Sequence, residues 1–310
     1  MIELQSNITT KPGNIEELFN ILKTIVTYLY NKYAPEEIKQ RPNIDQAKMT
    51  DIETICIFLL IRCLGLSESA GYSFLKKNFP GLVNYPDRSR FNRTIRNLTM
   101  LIRHLRLQFI LERNIDLQQI NITDGFPVPV AKFGRAHFSK LFRDISSYGY
   151  CASKKETYYG LKSHLITTID GEPIDYLLTA ANIDEREALI EHYQNNNFEG
   201  KITLADKGLT GQIKDTIGYE FNSRLIALQK DNSKTPLPKP LRNIVSKLRR
   251  RIETTIGQLV AMFNLETMKG RSKLSIQRDF EFSLFAVNSL VCINQFIGAE
   301  HKMQIASLVF

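Results

Sequence analysis

Cysteine is scarce in this 310-residue chain: Cys56, Cys63, Cys151 and Cys292 form no C-x-x-C pair and have no histidine pair nearby. That excludes the usual zinc spacings and a disulfide framework, and it suits a reducing compartment. A basic start followed by an apolar stretch is also missing from Met1-Ile2-Glu3-Leu4-Gln5, so no secretory signal is read and a cytoplasmic protein is expected. No apolar run is clean enough to span a membrane. The nearest, 280–299, is interrupted by Ser283, Asn288, Ser289, Asn294 and Gln295, and reads as a buried core helix. Internal repeats and low-complexity tracts are absent as well.

Acid is in deficit relative to base. The 41 Lys and Arg against 32 Asp and Glu give a formal charge of +9, and the isoelectric point is about 9.3. A polyanionic partner is the natural expectation. The apolar share of 43% is enough for a sizeable core, and the pattern along the chain divides it into two domains, 1–112 and 113–310.

The first part is helical by period. Ile15, Leu18, Phe19, Leu22, Ile25, Val26 and Leu29 mark an amphipathic helix over 14–33, with Asn14 and Glu17 placed as a capping pair. Helices over 51–64 and 67–77 flank Gly65-Leu66, the outline of a helix-turn-helix unit, and Pro80 stops the second. A further helix after Asp87 carries Arg88, Arg90, Arg93, Arg96, Arg103 and Arg106. Arg93, Arg96 and Arg103 share roughly one of its faces, either a phosphate-tracking surface or a solvated basic face.

From about residue 117 the period turns strand-like. Strands are expected at 120–124 and 159–168, then through the Asp170-Gly171 hairpin turn into 173–180. A helix over 184–194, short strands ending at Asp206 and spanning 224–228, and a long helix over 244–263 complete an α/β layer with a mixed sheet.

Within that layer, Ile120-Asn-Ile122-Thr-Asp124 and Ile202-Thr-Leu204-Ala-Asp206 each place an acid two residues beyond an aliphatic pair, on the apolar face of its strand. A carboxylate in so dry a position takes up a proton unless a cation holds it ionised. Two such acids together suit Mg²⁺. Glu253 borders the helical stripe Val245, Leu248, Ile252, Ile256, Leu259 and Phe263, with Gly257 leaving space one turn onward. Arg249 and Arg250, one turn earlier, offer positive charge for a phosphate. Taken singly each acid has a plain alternative: a turn at Asp124-Gly125, a cap at Asp206, an i to i+4 pair of Glu253 with Arg249.

Together, Ile122-Thr-Asp124-Gly-Phe-Pro127-Val, Leu204-Ala-Asp206-Lys-Gly208-Leu and Arg251-Ile-Glu253-Thr-Thr-Ile-Gly resemble, in that order, the three acid motifs of the DDE transposases of bacterial insertion sequences. Those enzymes belong to the retroviral-integrase and RNase H-like superfamily. Gly160-Leu-Lys162-Ser-His164 and Leu178-Thr-Ala-Ala-Asn182 are similar to the family's second and third strands. The likeness spans most of the chain and looks nearest to the nine-eighty-two group. It departs at Gly257-Gln258, where some relatives place Lys or Arg, and Asp184 is a spare acid beside the strands.

The resemblance implies an RNase H-like mixed five-stranded sheet flanked by helices, preceded by an all-α, helix-turn-helix-like domain. It implies catalytic, metal-holding Asp124, Asp206 and Glu253 with two Mg²⁺ ions, for which Mn²⁺ substitutes. The implied reaction is hydrolysis at transposon ends followed by strand transfer into target DNA. Double-stranded DNA carrying terminal inverted repeats is the implied partner, with a homodimer assembled on it near the nucleoid. Lys162, His164, Arg249, Arg250, Arg93, Arg96 and Arg103 are the candidate DNA contacts, with a hydrogen-bonding structural role the alternative for His164. Between 230 and 278, twelve basic residues (Lys230, Lys234, Lys239, Arg242, Lys247, Arg249, Arg250, Arg251, Lys269, Arg271, Lys273, Arg278) face three acids (Asp231, Glu253, Glu266), a bias suited to a DNA track. Two other readings stay open on sequence: a DNA-binding regulator that keeps the fold without the chemistry, and a structure-selective nuclease.

Overall fold

The computed structural model describes residues 8–115, 119–131, 133–137, 142–152, 154–195, 198–229, 236–267 and 270–309. In chain order the main elements are helices α1 (Ile15–Tyr33), α2 (Asp51–Cys63), α3 (Glu68–Asn78), α4 (Arg88–Asn97) and α5 (Thr99–Glu112), then strands β1 (Ile120–Ala131), β2 (Ser147–Cys151), β3 (Glu156–Thr168) and β4 (Pro173–Ala180). After these come α6 (Glu185–Asn195), β5 (Ile202–Ala205), α7 (Ile213–Phe221), β6 (Arg224–Ala227), α8 (Lys239–Phe263) and α9 (Lys273–Phe296). They fall into two compact units: Met1–Asn114 with Ala261–Asn264 and Lys273–Phe310, and Ile115–Val260 with Leu265–Ser272.

In the helical unit the expected cap is present: Asn14 Oδ1 accepts from the Glu17 amide at 2.8 Å, and Glu17 returns a bond to the Gly13 amide at 2.7 Å. α2 begins on a full capping box between Thr50 and Glu53. It is buried nearly all round, whereas α3 keeps only Gly71, Tyr72 and Leu75 inside. The two axes differ by 108°, within the range of a helix-turn-helix corner. Gly65 makes that corner at a φ of +64°, where a side chain would strain the backbone. Among the described residues no single helix is long and apolar enough to cross a membrane.

The arginine-bearing segment after Asp87 is two helices meeting at Leu98, where one continuous helix was expected. Arg93 and Arg96 lie exposed on α4. Arg103 lies on α5, 3.8 Å from the Glu281 carboxylate of α9, and the fully buried Arg106 meets the same carboxylate at 2.8 Å. α9 itself is buried on all sides and packs on α2, α4 and α5.

The α/β unit holds a six-stranded mixed sheet, one strand more than expected. Its path runs β2-β3-β1-β5-β6, with β4 also on β3. β2 pairs with 156–160 of β3 and β4 with 161–167, so the two lie end to end along one edge and the sheet is five positions wide. β3 is antiparallel to β1, while β1, β5 and β6 run parallel. That is the RNase H-like arrangement. β2 escaped notice because Ser147-Tyr-Gly-Tyr-Cys151 is short and has a glycine at its centre. β1 runs on through Pro127 and Pro129, which is possible because β5 pairs with it only from Ile120 to Ile122 and leaves the rest of that edge without ladder bonds. α8 begins at Lys239, earlier than expected, since Pro240 sits in the first turn where no helical N–H is needed. α7 was not expected at all. Lys230, Asp231, Lys234 and Lys269 lie outside the described residues.

Removing Arg106 takes from the buried Glu281 carboxylate its 2.8 Å contact and leaves Arg103 at 3.8 Å to face it. Arg106→Met is expected to cost about 3–5 kcal/mol in urea unfolding. Arg106→Met combined with Glu281→Leu should recover most of that loss, and a double variant as unstable as the single would contradict the account.

Candidate active site

Alternation along β1 puts Asp124 on the face of the buried Ile122, opposite Leu165 of β3, and turns Gly125 to the other face with His164 and Lys162. The ladder between β1 and β5 stops at Ile122 and Leu204. Asp124 and Asp206 therefore stand just beyond the point where two parallel strands cease to pair. The carboxyl ends of parallel strands are where open α/β sheets hold ligands.

Glu253 comes from α8, whose position is fixed by the β3–β4 hairpin. Thr255 Oγ1 donates to the Gly171 carbonyl at 2.6 Å, and Arg251 donates to the Ile169 carbonyl at 3.0 Å and to Asp170 at 2.9 Å. Gly171 has a φ of +93°, and a Cβ there would stand 2.8 Å from Thr255 Oγ1. Glycine is required on both counts.

The three acids converge on one side chain. Arg249 Nη2 donates to Asp124 Oδ2 at 2.9 Å and Nη1 to Asp206 Oδ1 at 3.2 Å, while Nη2 lies 3.3 Å from Glu253 Oε1. The guanidinium is 12% exposed, and the acids open outward from 22% at Asp124 to 49% at Asp206 and 53% at Glu253. Burial raises the Asp124 carboxyl above its ordinary value, with Arg249 and the Gly125 amide, 2.8 Å from Oδ1, working in the opposite direction. This is the dry carboxylate and compensating cation that the strand pattern required.

Arg249 is an imperfect occupant: its Nε is buried without a hydrogen-bond partner among the described residues. Three carboxylates around a poorly satisfied cation form a donor set of the kind a hard divalent ion prefers. Among the described residues no three His, Cys, Asp or Glu side chains are grouped to hold a metal directly.

The remaining expected residues divide. Arg250 is exposed on α8. Lys162 is in ion-pair contact with Glu185. His164 is buried, its Nε2 2.9 Å from Thr179 Oγ1, and burial, with Lys162 and His192 adding to it, pushes its pKa down to about 3. It is a neutral hydrogen-bonding histidine and brings no positive charge to a phosphate.

Glu185 was missed. It lines one cleft with Asp124, Asp206, Gly125 and His164, and with Leu189 and His192 of its own helix. Asp184, noted instead as the spare acid, accepts from the Arg186 amide at 2.8 Å. The spacing 185, 189, 192 puts one helical face on the cleft, and that was the signal available.

A mixed sheet in RNase H-like order gathers Asp124 and Asp206 where β1 and β5 part. Residues 114–273 match the family described as Transposase DDE domain, more than half of the chain, and the chain belongs to that family. It is a DDE-type transposase, an enzyme of a family that uses divalent metal ions. No curated protein matches it. Among solved structures, "Mos1 transposase paired-end complex with left transposon end" matches at 10% identity over 82% of this chain and 98% of that chain, with a TM-score of 0.20.

The depressed His164 pKa has a sign that can be checked. The unfolded chain binds a proton at about pH 6.5 that the folded chain refuses until about pH 3. Stability is therefore full above pH 6.5 and lost as pH falls through that window. His164→Asn is expected to abolish on the order of 2 kcal/mol of the loss between pH 7 and pH 5, read from urea midpoints. Identical pH dependence in both proteins would contradict the assignment.

Proposed function

We propose that Asp124, Asp206 and Glu253 hold two Mg²⁺ ions, for which Mn²⁺ substitutes, and that the chain hydrolyses a phosphodiester at each transposon end and joins the freed 3′-hydroxyl to target DNA. The observation that carries this reading is the convergence of the three acids, 82 and 47 residues apart in sequence, on a single cationic position. When bound, the ions supply the positive charge that activates the attacking oxygen and stabilises the leaving one. Asp124, driest of the three, makes a site that favours a strongly bound cation over water. Glu253, on a helix pinned by the β3–β4 hairpin, closes the set from the opposite element.

Arg249 has a second task in this reading. Displaced by metal, its planar fork matches a phosphate as well as it matched carboxylates. Arg250, exposed beside it, and Lys162 add to the same track, while Arg93 and Arg96 on α4 offer phosphate contacts from the helical unit, which we assign to recognising the terminal inverted repeats. Arg103, engaged by Glu281, contributes less. A homodimer pairing two DNA ends, acting in the cytoplasm at the nucleoid, completes the proposal.

The test is Mg²⁺-dependent nicking and joining of duplex DNA carrying the element's ends. Asp124→Asn and Glu253→Gln are expected to lose at least about a hundredfold in both steps, as loss of a metal ligand or its close support does. Full activity in either variant rejects that residue's assignment, and nicking without joined products rejects strand transfer. DNA affinity should also fall steeply between roughly 50 and 200 mM salt, by several decades if about six or more phosphates are neutralised. A flat response counts against the basic track.

A further inference from the structure

We propose that Glu185 is a fourth acid of this site and that Lys162 is the cation it holds until a divalent ion takes its place; this rests on the reading of Asp124, Asp206 and Glu253 as metal ligands. Glu185 is the first residue of α6 and reaches the cleft between the ends of β1 and β5 from the sheet face opposite the one that carries Asp124. Its carboxylate comes so close to the loop after Asp206 that a Cβ on Gly208 would stand 3.2 Å from Oε2. On the other side, a Cβ on Gly125 would lie 3.7 Å from Oε1 and 3.0 Å from Lys162 Cε. The glycines that follow both strand acids thus leave room for this carboxylate to lie against the backbone of the site.

Charge gives the pairing its meaning. Four carboxylates, Asp124, Asp206, Glu253 and Glu185, are met by two side-chain cations, Arg249 and Lys162. Two negative charges are left over, and two divalent ions replacing both cations would balance all four. Glu185 and Lys162 are 38% and 24% exposed, so neither is locked in a dry core and Lys162 is free to swing away. Arg249 and Lys162 are then stand-ins of the same kind on the two faces of the sheet, and metal loading releases both toward the DNA backbone.

The two partners are expected to move metal affinity in opposite directions. Mn²⁺ binding to the full chain without DNA, followed by isothermal titration calorimetry and by the electron paramagnetic resonance signal of free Mn²⁺, should weaken about tenfold in Glu185→Gln. It should tighten severalfold in Lys162→Met, which removes the competing cation. Glu185→Asp, which keeps the charge on a shorter arm, should fall between Glu185→Gln and the unchanged chain, and equal thermal midpoints establish that the variants are folded. Unchanged affinity in Glu185→Gln overturns the proposal. So does weakening in Lys162→Met, the result a merely structural ion pair would give. Asp124→Asn serves as reference: if it weakens Mn²⁺ binding while Glu185→Gln does not, only the fourth acid falls, whereas no effect in Asp124→Asn removes the metal site itself.

Discussion

Three carboxylates cannot share one small, partly dry volume unless positive charge lies among them, and the Arg249 guanidinium supplies it. Its fork spans acids from a strand, a strand end and its own helix at 2.9 to 3.3 Å. The shortest of these contacts goes to Asp124, the acid for which water is scarcest. Remove the cation and like charges would repel across the cleft while burial pushed a proton onto Asp124. The geometry of the site is therefore that of an ion cluster, in which the buried Arg249 Nε has no hydrogen-bond partner among the described residues.

The fold serves that cluster by ending things at the right place. β1 and β5 run together for three residues and then part, which frees the chain after Leu204 to turn and exposes Asp124 on an edge no longer paired on that side. β3 is long enough to carry β2 and β4 end to end. Its hairpin with β4 is therefore in reach of α8, where Gly171, Thr255 and Arg251 fix the helix that brings Arg249 and Glu253. The sheet supplies two acids and the hairpin holds the third in place.

Much of this could be read from the residues in order. The caps at Asn14 and Thr50, the stripe from Val245 to Phe263, the β3–β4 hairpin at Asp170-Gly171 and the two strand acids all follow from local chemistry. Where the reading stopped short, local pattern was weak or silent. β2 is five residues with a central glycine, and α7 is a nine-residue helix with only Ile213 and Ile217 buried. The arginine helices look continuous because nothing but Leu98 separates them. α9 is buried all round, so it has no polar face to say which neighbours it takes, and it packs with helices from the other end of the chain.

The sequence by itself determined which residue types sit on which face of which element, because side-chain period and backbone chemistry are local. That sufficed for the strand faces that carry Asp124 and Asp206 and for the basic bias, while the family followed from the resemblance of the three acid motifs. Only the tertiary structure decided partnership: that Arg249 belongs to three acids at once where the sequence offered a phosphate contact or a single helix pair, that Lys162 belongs to Glu185, and that His164 is buried and neutral. Electrostatic energy and burial depend on distances between residues far apart along the chain, and no local period encodes those distances.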